Sequence, residues 1–359
     1  MKKINLLWAL SVAVLLFSCK KNDGPEVPPP YEPTQTIGYY VLNEGSIGGH
    51  NGTLGYYDVK TRTFTPDYFG QKNPDVELGD LPSDMVVYGS KAYVTSTFGN
   101  QVVVLNAWTG VVEKTLEVNG ARSLAVNDGK VYVSSYRGEV VRIDTTTLTI
   151  TGTAAVNGEY CEGIAVLKDK IYVANDAVKG GAQGQGNTVS VIDIATFTEE
   201  AQITTPTNPV GLVANGDYLY LTTSGEYDDS WNMVVDAQLH RIDPAQKKVV
   251  YTFPDVAASK MAVLDDYIYT VHFSYMTFTG SSRKINLSTN AVSDFLSEAP
   301  SMSVYNVCTN PMTDEIFIIN SGYTGASTID SYDVNGTLKY QMTDQAQGPY
   351  VSKVVPVNI

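Results

Sequence analysis

The sequence is poor in the residues from which catalytic and metal sites are most often built. It has three histidines and three cysteines in 359 residues, so neither a disulfide framework nor a histidine-rich metal site is expected. The metalloprotease motif HExxH, the nucleophile motif Gly-x-Ser-x-Gly and the phosphate-binding Gly-Lys-Ser/Thr do not occur. We therefore expect no required cofactor, no metal and no catalytic residues, which favours a binding protein over an enzyme.

Basic residues are also scarce. The chain has 24 Lys and Arg against 38 Asp and Glu, which gives a formal net charge of −14 at pH 7. Nucleic acids and anionic lipid headgroups are bound mainly by clustered cations. The composition therefore argues against both as partners.

Long hydrophobic runs are missing except at the start of the chain. There, Lys2-Lys3 precede the apolar run Ile4–Phe17, which is too short for an ordinary membrane span and is typical of a secretory leader. The run ends at Leu16-Phe17-Ser18-Cys19, which resembles a bacterial lipobox. This resemblance implies a signal peptide over residues 1–18 and lipidation of Cys19. A secretory signal with a chance cysteine is the alternative.

The segment after the leader has no pattern that could form a core. Residues 19–35 are polar and rich in proline, and they predict a semi-rigid tether. Asp23 and Glu26 resemble the export signals of surface lipoproteins in Bacteroidetes, which implies a lipid-anchored protein of the outer membrane, exposed on the cell surface. A periplasm-facing anchor stays open.

A repeated unit of four short strands begins after the tether and is clearest in Gly120–Val156. Alternation and turn residues predict strands over Ser123–Val126, Lys130–Ser134, Val140–Asp144 and Leu148–Ala155. Asn127-Asp128-Gly129 supplies the positive φ angles of a tight hairpin. Four antiparallel strands of this length form one blade of a β-propeller.

The unit recurs about every 40 to 50 residues, as expected of a repeat architecture. Its most regular feature is an aromatic residue in the second strand, which we call the anchor. The anchors are Tyr40, Tyr93, Tyr132, Tyr172, Tyr220, Tyr269 and Phe317. Seven anchors predict an all-β, seven-bladed propeller over residues 36–359. Cys161 and Cys308 fall in blades four and seven, so we expect two separate buried thiols.

Ring closure can also be predicted. A first-strand pattern precedes every anchor except Tyr40, and the missing copy occurs at the C-terminus, in Tyr350–Val355. We expect this last strand to complete the first blade and to remove exposed sheet edges. An open β-sandwich array is the alternative.

The connections between strands differ sharply in length. Turns between first and second strands and between third and fourth strands are short, whereas several loops between second and third strands are long, as in Asn175–Thr188, Ser224–Asp236 and Phe273–Ser282. Long loops on a rigid scaffold often carry binding residues, and these lie on the same face as the crossings between blades. From loop position we predict ligand contacts at Phe98, Arg122, Tyr136, Arg137, Tyr160, Asn175, Tyr227, Trp231, Phe273, Tyr323 and Tyr350.

Acidic residues and histidines give only weak indications of a metal site or a functional site. Asp75, Glu77, Asp80 and Asp84 lie in one crossing, and Asp228-Asp229 lie in a loop. Such groups either bind calcium or are solvated loop charges. His240 is expected to be structural because it lies in a third strand.

The repeats resemble a known family of propellers. YVTSTFGNQVVVLNAWTG and YVANDAVKGGAQGQGNTVSVIDIAT are similar to the seven-bladed YncE-like, or quinoprotein-like, propellers. Together with the lipobox, the tether and the opening YYVLNEGS, the chain resembles the BtuG-type surface cobalamin-binding lipoproteins of gut Bacteroidetes. This resemblance implies that the protein binds cobalamin and related corrinoids and passes them to a TonB-dependent transporter of the outer membrane, without chemistry on the ligand.

Two other classes of function remain open at this stage. Aromatic loops also suit a glycan-binding or protein-binding module of the outer membrane. A propeller-type lyase or lactonase would need a His/Glu or metal constellation at the channel mouth, and the sequence shows none clearly.

Overall fold

The unit predicted over Gly120–Val156 folds as four antiparallel strands joined by tight turns. In the computed structural model of the protein, the first two strands meet at Asp128 and Gly129, whose φ angles are 44° and 69°. Two successive residues with positive φ match the twist of the flanking strands. Glycine adopts this conformation without a steric cost, and aspartate tolerates it. The turn therefore sets the register of the blade.

The structure describes residues 33–228, 230, 232–321, 326–344 and 350–359. These belong to one compact unit, Pro33–Ile359. The predicted leader, Cys19 and most of the tether lie outside the described residues. Trp231 and Tyr323, two of the predicted ligand contacts, lie outside them as well.

The first half of the ring follows the chain in simple order. Blade 1 contains β1 (Thr36–Asn43), β2 (Thr53–Asp58) and β3 (Thr63–Thr65), and the short helix α1 (Tyr68–Lys72) follows it. Blade 2 contains β4 (Pro82–Tyr88), β5 (Lys91–Ser96), β6 (Gln101–Asn106) and β7 (Val112–Glu117). Blade 3 contains β8 (Ala121–Asn127), β9 (Lys130–Ser135), β10 (Glu139–Asp144) and β11 (Thr149–Ala155). Blade 4 contains β12 (Gly158–Leu167), β13 (Lys170–Val178), β14 (Thr188–Asp193) and β15 (Thr198–Thr204).

The second half contains one insertion and ends with the closing strand. Blade 5 contains β16 (Pro209–Asn215), β17 (Tyr218–Thr223), an inserted hairpin of β18 (Glu226–Tyr227) and β19 (Met233–Val235), then β20 (Gln238–Asp243) and β21 (Lys248–Thr252). Blade 6 contains β22 (Lys260–Leu264), β23 (Tyr267–Ser274), β24 (Thr279–Asn286) and β25 (Val292–Asp294). Blade 7 contains β26 (Val304–Asn310), β27 (Glu315–Asn320), β28 (Ser327–Tyr332) and β29 (Leu338–Asp344), and β30 (Val351–Asn358) ends the chain.

Ring closure is confirmed by the pairing of the last strand with the first. Across the described residues, the blades form seven four-stranded sheets, and the sheet of blade 1 has the order β3-β2-β1-β30. Strand β30 runs antiparallel to β1, with Tyr40 opposite Val355. The two ends of the chain thus share one sheet, and β1 presents no free edge.

The hydrophobic core lies between neighbouring blades. Every anchor is buried, with at most 5 % of its surface exposed. The anchors each pack into the cluster that joins two adjacent blades; Tyr132, for example, packs with Ile164 and Phe197. One such cluster, with Tyr39 and Phe317, joins blade 7 back to blade 1. Since burying one large apolar side chain contributes about 1.5–3 kcal/mol, each boundary between blades is held mainly by these clusters.

Three local features differ from the sequence-based expectation. Helix α1 was not expected; it is capped by Asp67, whose side chain accepts the Gly70 N–H at 3.0 Å, and it buries Phe69. The hairpin β18–β19 lies inside the loop predicted over Ser224–Asp236. The loop predicted over Phe273–Ser282 is wrong in its bounds, because β23 and β24 stay paired as far as Ser274 and Thr279. Each feature is stabilised by pairing or packing that local alternation does not reveal.

Candidate functional site at the channel mouth

The second strand of every blade ends on the long-loop face, and the residue four places beyond each anchor lies near that end. It directly follows the strand in five blades and lies within the longer strands β13 and β23 in the other two. We call these residues the loop tier: Glu44, Thr97, Tyr136, Asp176, Ser224, Phe273 and Ser321. Backbone bonds tie several of them to the crossing that leads into the first strand of the same blade. The Glu44 N–H donates to Tyr350 O at 3.0 Å, and the Tyr136 N–H donates to Gly120 O at 2.9 Å. These backbone hydrogen bonds therefore hold the loop-tier residues in place on the long-loop face.

The first strands line the centre of the ring, and they contribute a second set of equivalent residues. Three places before the partner of each anchor lie Ser83, Arg122, Glu162, Val210, Ser259, Tyr305 and Ser352, which we call the inner tier. The two tiers together form the mouth of the central channel on the long-loop face.

In several blades a left-handed residue lies two places before the inner-tier residue, at or near the start of the first strand. The residues with positive φ at this position are Leu81, Gly120, Tyr160, Asn208 and Tyr350. Glycine is the residue that favours this conformation, whereas a tyrosine there costs of order 1 kcal/mol or more. The φ angles of Tyr160 and Tyr350 are 49° and 75°. Both tyrosine rings lie beside mouth residues, Tyr160 near Tyr136 and Tyr350 near Tyr305.

An ion pair between blades 3 and 4 forms the centre of the site. Arg122 Nε donates to Glu162 Oε2 at 2.8 Å, and the Tyr136 hydroxyl donates to Glu162 Oε1 at 2.5 Å. The Arg122 guanidinium also lies over the Tyr136 ring, 5.3 Å from its centre. The side chains of Arg122 and Glu162 are 20 % and 12 % exposed, so the pair is largely shielded from water but reaches the surface.

The electrostatics of this pair follow from its burial. Burial alone would lower the pKa of Arg122, but the charge of Glu162 outweighs it and the pKa is raised. Burial, followed by the charge of Glu162, also raises the pKa of Tyr136. At neutral pH Arg122 is therefore a cation and Tyr136 a neutral hydroxyl donor.

Asp176 extends the site within blade 4. It is 5 % exposed; its Oδ2 accepts the Gly184 N–H at 3.2 Å, while its Oδ1 is buried without a hydrogen-bond partner. Burial and then the nearby charge of Glu162 raise the pKa of Asp176 to about 7. A buried acceptor without a donor is costly, so Asp176 is suited to accept an N–H or O–H from a ligand.

The other side of the mouth is formed by blades 7 and 1. The Tyr305 hydroxyl donates to Glu44 Oε2 at 2.6 Å, and the rings of Tyr305 and Tyr350 stack with centres 6.1 Å apart. Burial lowers the pKa of Arg122. The Glu44 charge helps to raise it, although by less than Glu162 and Tyr136 do. These contacts extend the site across the ring. We define the mouth cluster as Glu44, Arg122, Tyr136, Glu162, Asp176 and Tyr305.

The structure brings four of the predicted contacts together at the mouth. Arg122 and Tyr136 belong to the mouth cluster, the Tyr160 ring lies 5.3 Å from that of Tyr136, and Tyr350 stacks on Tyr305. Sequence reasoning missed Glu44, Glu162, Asp176 and Tyr305. All four stand at repeat-equivalent positions, and reading the repeat register four places beyond each anchor would have found Glu44 and Asp176.

The remaining predicted contacts lie elsewhere. Asn175 is completely buried, and its Nδ2 donates to Thr188 Oγ1 at 3.0 Å and Ser190 Oγ at 2.8 Å, which is a structural role inside blade 4. Phe98 and Arg137 are exposed on loops of the same face, and Tyr227 is exposed in the inserted hairpin, in β18. Phe273 is half-buried, with its ring 5.3 Å from that of Tyr275.

Two of the four acidic residues in the crossing are engaged by protein groups, whereas Asp75 and Glu77 are exposed. Asp80 accepts the Gly48 N–H at 2.9 Å, and Asp84 pairs with Lys353 and accepts the Leu124 N–H at 2.8 Å. Among the residues that the structure describes, no group of three or more His, Cys, Asp or Glu side chains is arranged to hold a metal ion.

The isolated histidine and cysteines are buried as expected. His240 lies between Thr223 and Thr252, with Nδ1 at 2.9 Å from Thr252 Oγ1, and burial lowers its pKa to about 4. Cys161 and Cys308 are free and buried. Within the described residues, no helix has the length and apolar character needed to span a membrane.

A cleft of about 540 Å³ lies on the opposite face, between blades 4 and 5. Two of its three lysines are already paired: Lys168 with Asp217 at 2.7 Å, and Lys170 with Glu200 at 3.0 Å. Surface pairs of this kind contribute little to stability. The mouth cluster is the better candidate site because its polar groups are shielded and incompletely satisfied.

Comparison with known proteins places the chain in a family. Residues 37–350 match the family model described as "Domain of unknown function (DUF5074)". The chain belongs to this family. No curated protein matches it.

Solved structures share the fold of this DUF5074 protein at low sequence identity. A quinonprotein alcohol dehydrogenase-like protein from Bacteroides thetaiotaomicron VPI-5482 has a TM-score of 0.63 at 15 % identity, over 90 % of this chain and 79 % of that one. Hydrazine synthase from Kuenenia stuttgartiensis has a TM-score of 0.56 at 19 % identity, over 69 % and 76 %. The computationally designed Ika8 protein has a TM-score of 0.54 at 11 % identity, over 77 % and 93 %. These similarities concern the fold alone.

Proposed function

We propose that this DUF5074 propeller captures a corrinoid, with cobalamin as the test ligand, at the channel mouth and performs no chemistry on it. The observation that carries the proposal is the mouth cluster: its shielded group Arg122–Glu162–Tyr136 lies beside the ring of Tyr160, and its Tyr305 stacks on Tyr350.

The chemistry of the cluster suits a large ligand fringed with amides. Carboxylate oxygens such as Asp176 Oδ1 accept amide N–H groups, and the Arg122 guanidinium supplies donors, while the Tyr136 hydroxyl is already donated to Glu162. The guanidinium has five N–H donors, of which Glu162 takes the one at Nε, and it can pair with a phosphate group. Tyrosine rings cover apolar faces at a low entropic cost. A rigid macrocycle also loses little conformational freedom on binding.

We further propose a place for this capture step. The lipobox and the proline-rich tether support a protein that is anchored through Cys19 to the outer membrane and exposed on the cell surface. Its partner would be a TonB-dependent cobalamin transporter, which receives the ligand from the propeller.

The test is calorimetry of residues 33–359 with cyanocobalamin, while the corrin absorbance is followed in parallel. We expect one-to-one binding with a spectral change. No heat and no spectral change at high concentration would overturn the proposal.

Tyr160→Gly provides the sharpest variant for this test. It removes a ring from the mouth, which should lower the folding stability by about 1 kcal/mol. It also relieves the strain of a left-handed backbone, which should raise the stability by a similar amount, about 1 kcal/mol. We expect at least tenfold weaker binding with a near-unchanged melting temperature. Leu81→Gly is the matched control, since it makes the same backbone change in blade 2 without removing an aromatic ring, and it should keep full affinity.

Glycan binding is the second candidate, favoured by the stacked pair Tyr305 and Tyr350 beside the Glu44 carboxylate. Aromatic stacking with a neighbouring acceptor suits a sugar ring. The same calorimetry with a panel of oligosaccharides separates the candidates. Heat with a glycan and none with cyanocobalamin would support this function instead.

A further inference from the structure

A second polar group joins blades 5 and 6 at the channel mouth, outside the mouth cluster. His272 in β23 is hydrogen-bonded through Nδ1 to Ser259 Oγ, and its Nε2 lies 2.7 Å from Asp236 Oδ1. The second contact is electrostatic and is not aligned as a hydrogen bond. Ser274 Oγ donates to Asp236 Oδ2 at 2.5 Å, which holds the carboxylate in place.

The three residues come from three separate segments of the chain. Asp236 follows β19, Ser259 immediately precedes β22, and His272 lies near the end of β23. No local motif predicts such a group, which is why the sequence did not reveal it. A serine that contacts a histidine, which in turn contacts an aspartate, occurs as a catalytic triad on many unrelated folds. In such a triad the histidine activates the serine as a nucleophile.

The environment sets the protonation state of the imidazole. His272 is 4 % exposed, and burial lowers its pKa although Asp236 opposes the shift. The imidazole is therefore neutral at pH 7. Because the negative Asp236 faces Nε2, it favours the tautomer with the proton on Nε2. That tautomer leaves the Nδ1 lone pair to accept the proton of Ser259.

Ser259 itself is accessible. It is partly exposed and occupies the inner tier, so its hydroxyl lies at the channel mouth, where a small molecule can approach. His240 offers a contrast: it also contacts hydroxyl groups, but it is fully buried and its contacts are two threonines rather than a serine and a carboxylate.

We propose that Ser259 is an activated nucleophile that takes an acyl group from small activated esters, with His272 as general base and Asp236 as the group that orients the imidazole. Ser259 Oγ attacks the ester carbonyl and transfers its proton to His272 Nδ1. The C–O bond to the alcohol breaks, and the alcohol departs with that proton. Water then attacks the acyl-serine, which releases the carboxylic acid and restores the hydroxyl. This proposal does not rest on corrinoid capture.

Residues 33–359 treated with p-nitrophenyl acetate, and separately with a fluorophosphonate probe, provide the test. Intact mass and peptide mapping give the number and position of the labels. We expect a single label at Ser259. Since a general base accelerates such steps about 10²–10⁴-fold, labelling should fall at least 100-fold in Ser259→Ala and in His272→Gln.

The controls distinguish activation from simple exposure. Ser83 occupies the same inner-tier position in blade 2, but its hydroxyl pairs with Leu81 O at 2.8 Å and Thr97 Oγ1 at 2.6 Å. Ser83→Ala should therefore react like the parent protein, and Asp236→Asn should react more slowly with the same label site. Circular dichroism checks the fold of every variant. Absence of labelling in the parent protein, labels spread evenly over several serines, or an unchanged rate in folded His272→Gln would each overturn the proposal.

Discussion

Arg122 and Glu162 form an ion pair across the boundary between blades 3 and 4, with Nε and Oε2 2.8 Å apart. The pair joins two first strands that are 40 residues apart in the chain. The same carboxylate also accepts the Tyr136 hydroxyl. Three blade-bound groups therefore hold one another in fixed positions, as a preorganised binding surface requires.

Removing one member of the ion pair should destabilise the protein more than removing both. Arg122→Met leaves a shielded carboxylate without its cation and should lower the free energy of unfolding by about 2–3 kcal/mol. The double variant Arg122→Met/Glu162→Leu should recover most of that loss, because neither charge remains. Urea denaturation measures both. A double variant that is less stable than Arg122→Met would contradict this account of the pair.

Asp176 predicts a pH dependence of stability. Its pKa is about 7 in the folded protein against 3.8 for an ordinary aspartate, because of burial and the charge of Glu162. Folding therefore takes up a proton between these values, so stability is fully present below about pH 4 and is lost as the pH rises through 7. Asp176→Asn should raise the free energy of unfolding on the order of 1–3 kcal/mol at pH 8 and change it little at pH 4.

Thermal melts of Asp176→Asn at the two pH values provide the measurement. Asp243→Asn gives a contrast of opposite sign, because backbone hydrogen bonds from Gln246 lower the pKa of Asp243; this variant should lose stability at pH 8. An equal gain for Asp176→Asn at pH 4 and pH 8 would show that its ionisation is not the cause.

Substitution of Asn175 should lower the stability of the protein without weakening ligand binding. Its side chain is completely buried and donates to Thr188 and Ser190 inside blade 4. Asn175→Ala leaves those acceptors unsatisfied and should cost about 2 kcal/mol. At a temperature where the variant is folded, its affinity for the ligand of the mouth should equal that of the parent protein. Weaker binding by the folded variant would return Asn175 to the site.

Ring closure predicts that the last strand is indispensable. A chain that ends at residue 349 lacks β30 and exposes the edge of β1, so it should lose its cooperative melt and self-associate. Size-exclusion chromatography and circular dichroism detect both changes. Removing only Asn358 and Ile359 is the matched control, since the pairing of Tyr40 with Val355 remains. A truncated chain that melts like the parent would contradict closure by β30.

The fold could be predicted from the sequence almost completely. Alternation, the anchors and turns such as Asp128-Gly129 are local signals, and each blade is formed by residues close together in the chain. The short helix α1 and the hairpin β18–β19 escaped prediction, because a capped turn and a two-residue strand are too short to produce a period.

The candidate site could be predicted only in part. Loop position directed attention to Arg122, Tyr136, Tyr160 and Tyr350, which lie together at the mouth in the structure. It also selected Asn175, whose orientation towards Thr188 depends on the blade interior. Glu162 and Tyr305 escaped because an inner-tier residue looks like any other strand residue until the first strands are arranged around one axis.

By itself, the sequence determined the number of blades, their four-strand pattern and the strand that closes the ring, because hydrogen-bonded neighbours within a blade are also neighbours in the repeat. Only the tertiary structure decided which side chains meet at the mouth. Arg122 reaches Glu162, and Ser259 lies beside His272 and Asp236, through contacts between separate segments. Those contacts depend on how the strands and loops pack around the channel, which no local pattern records.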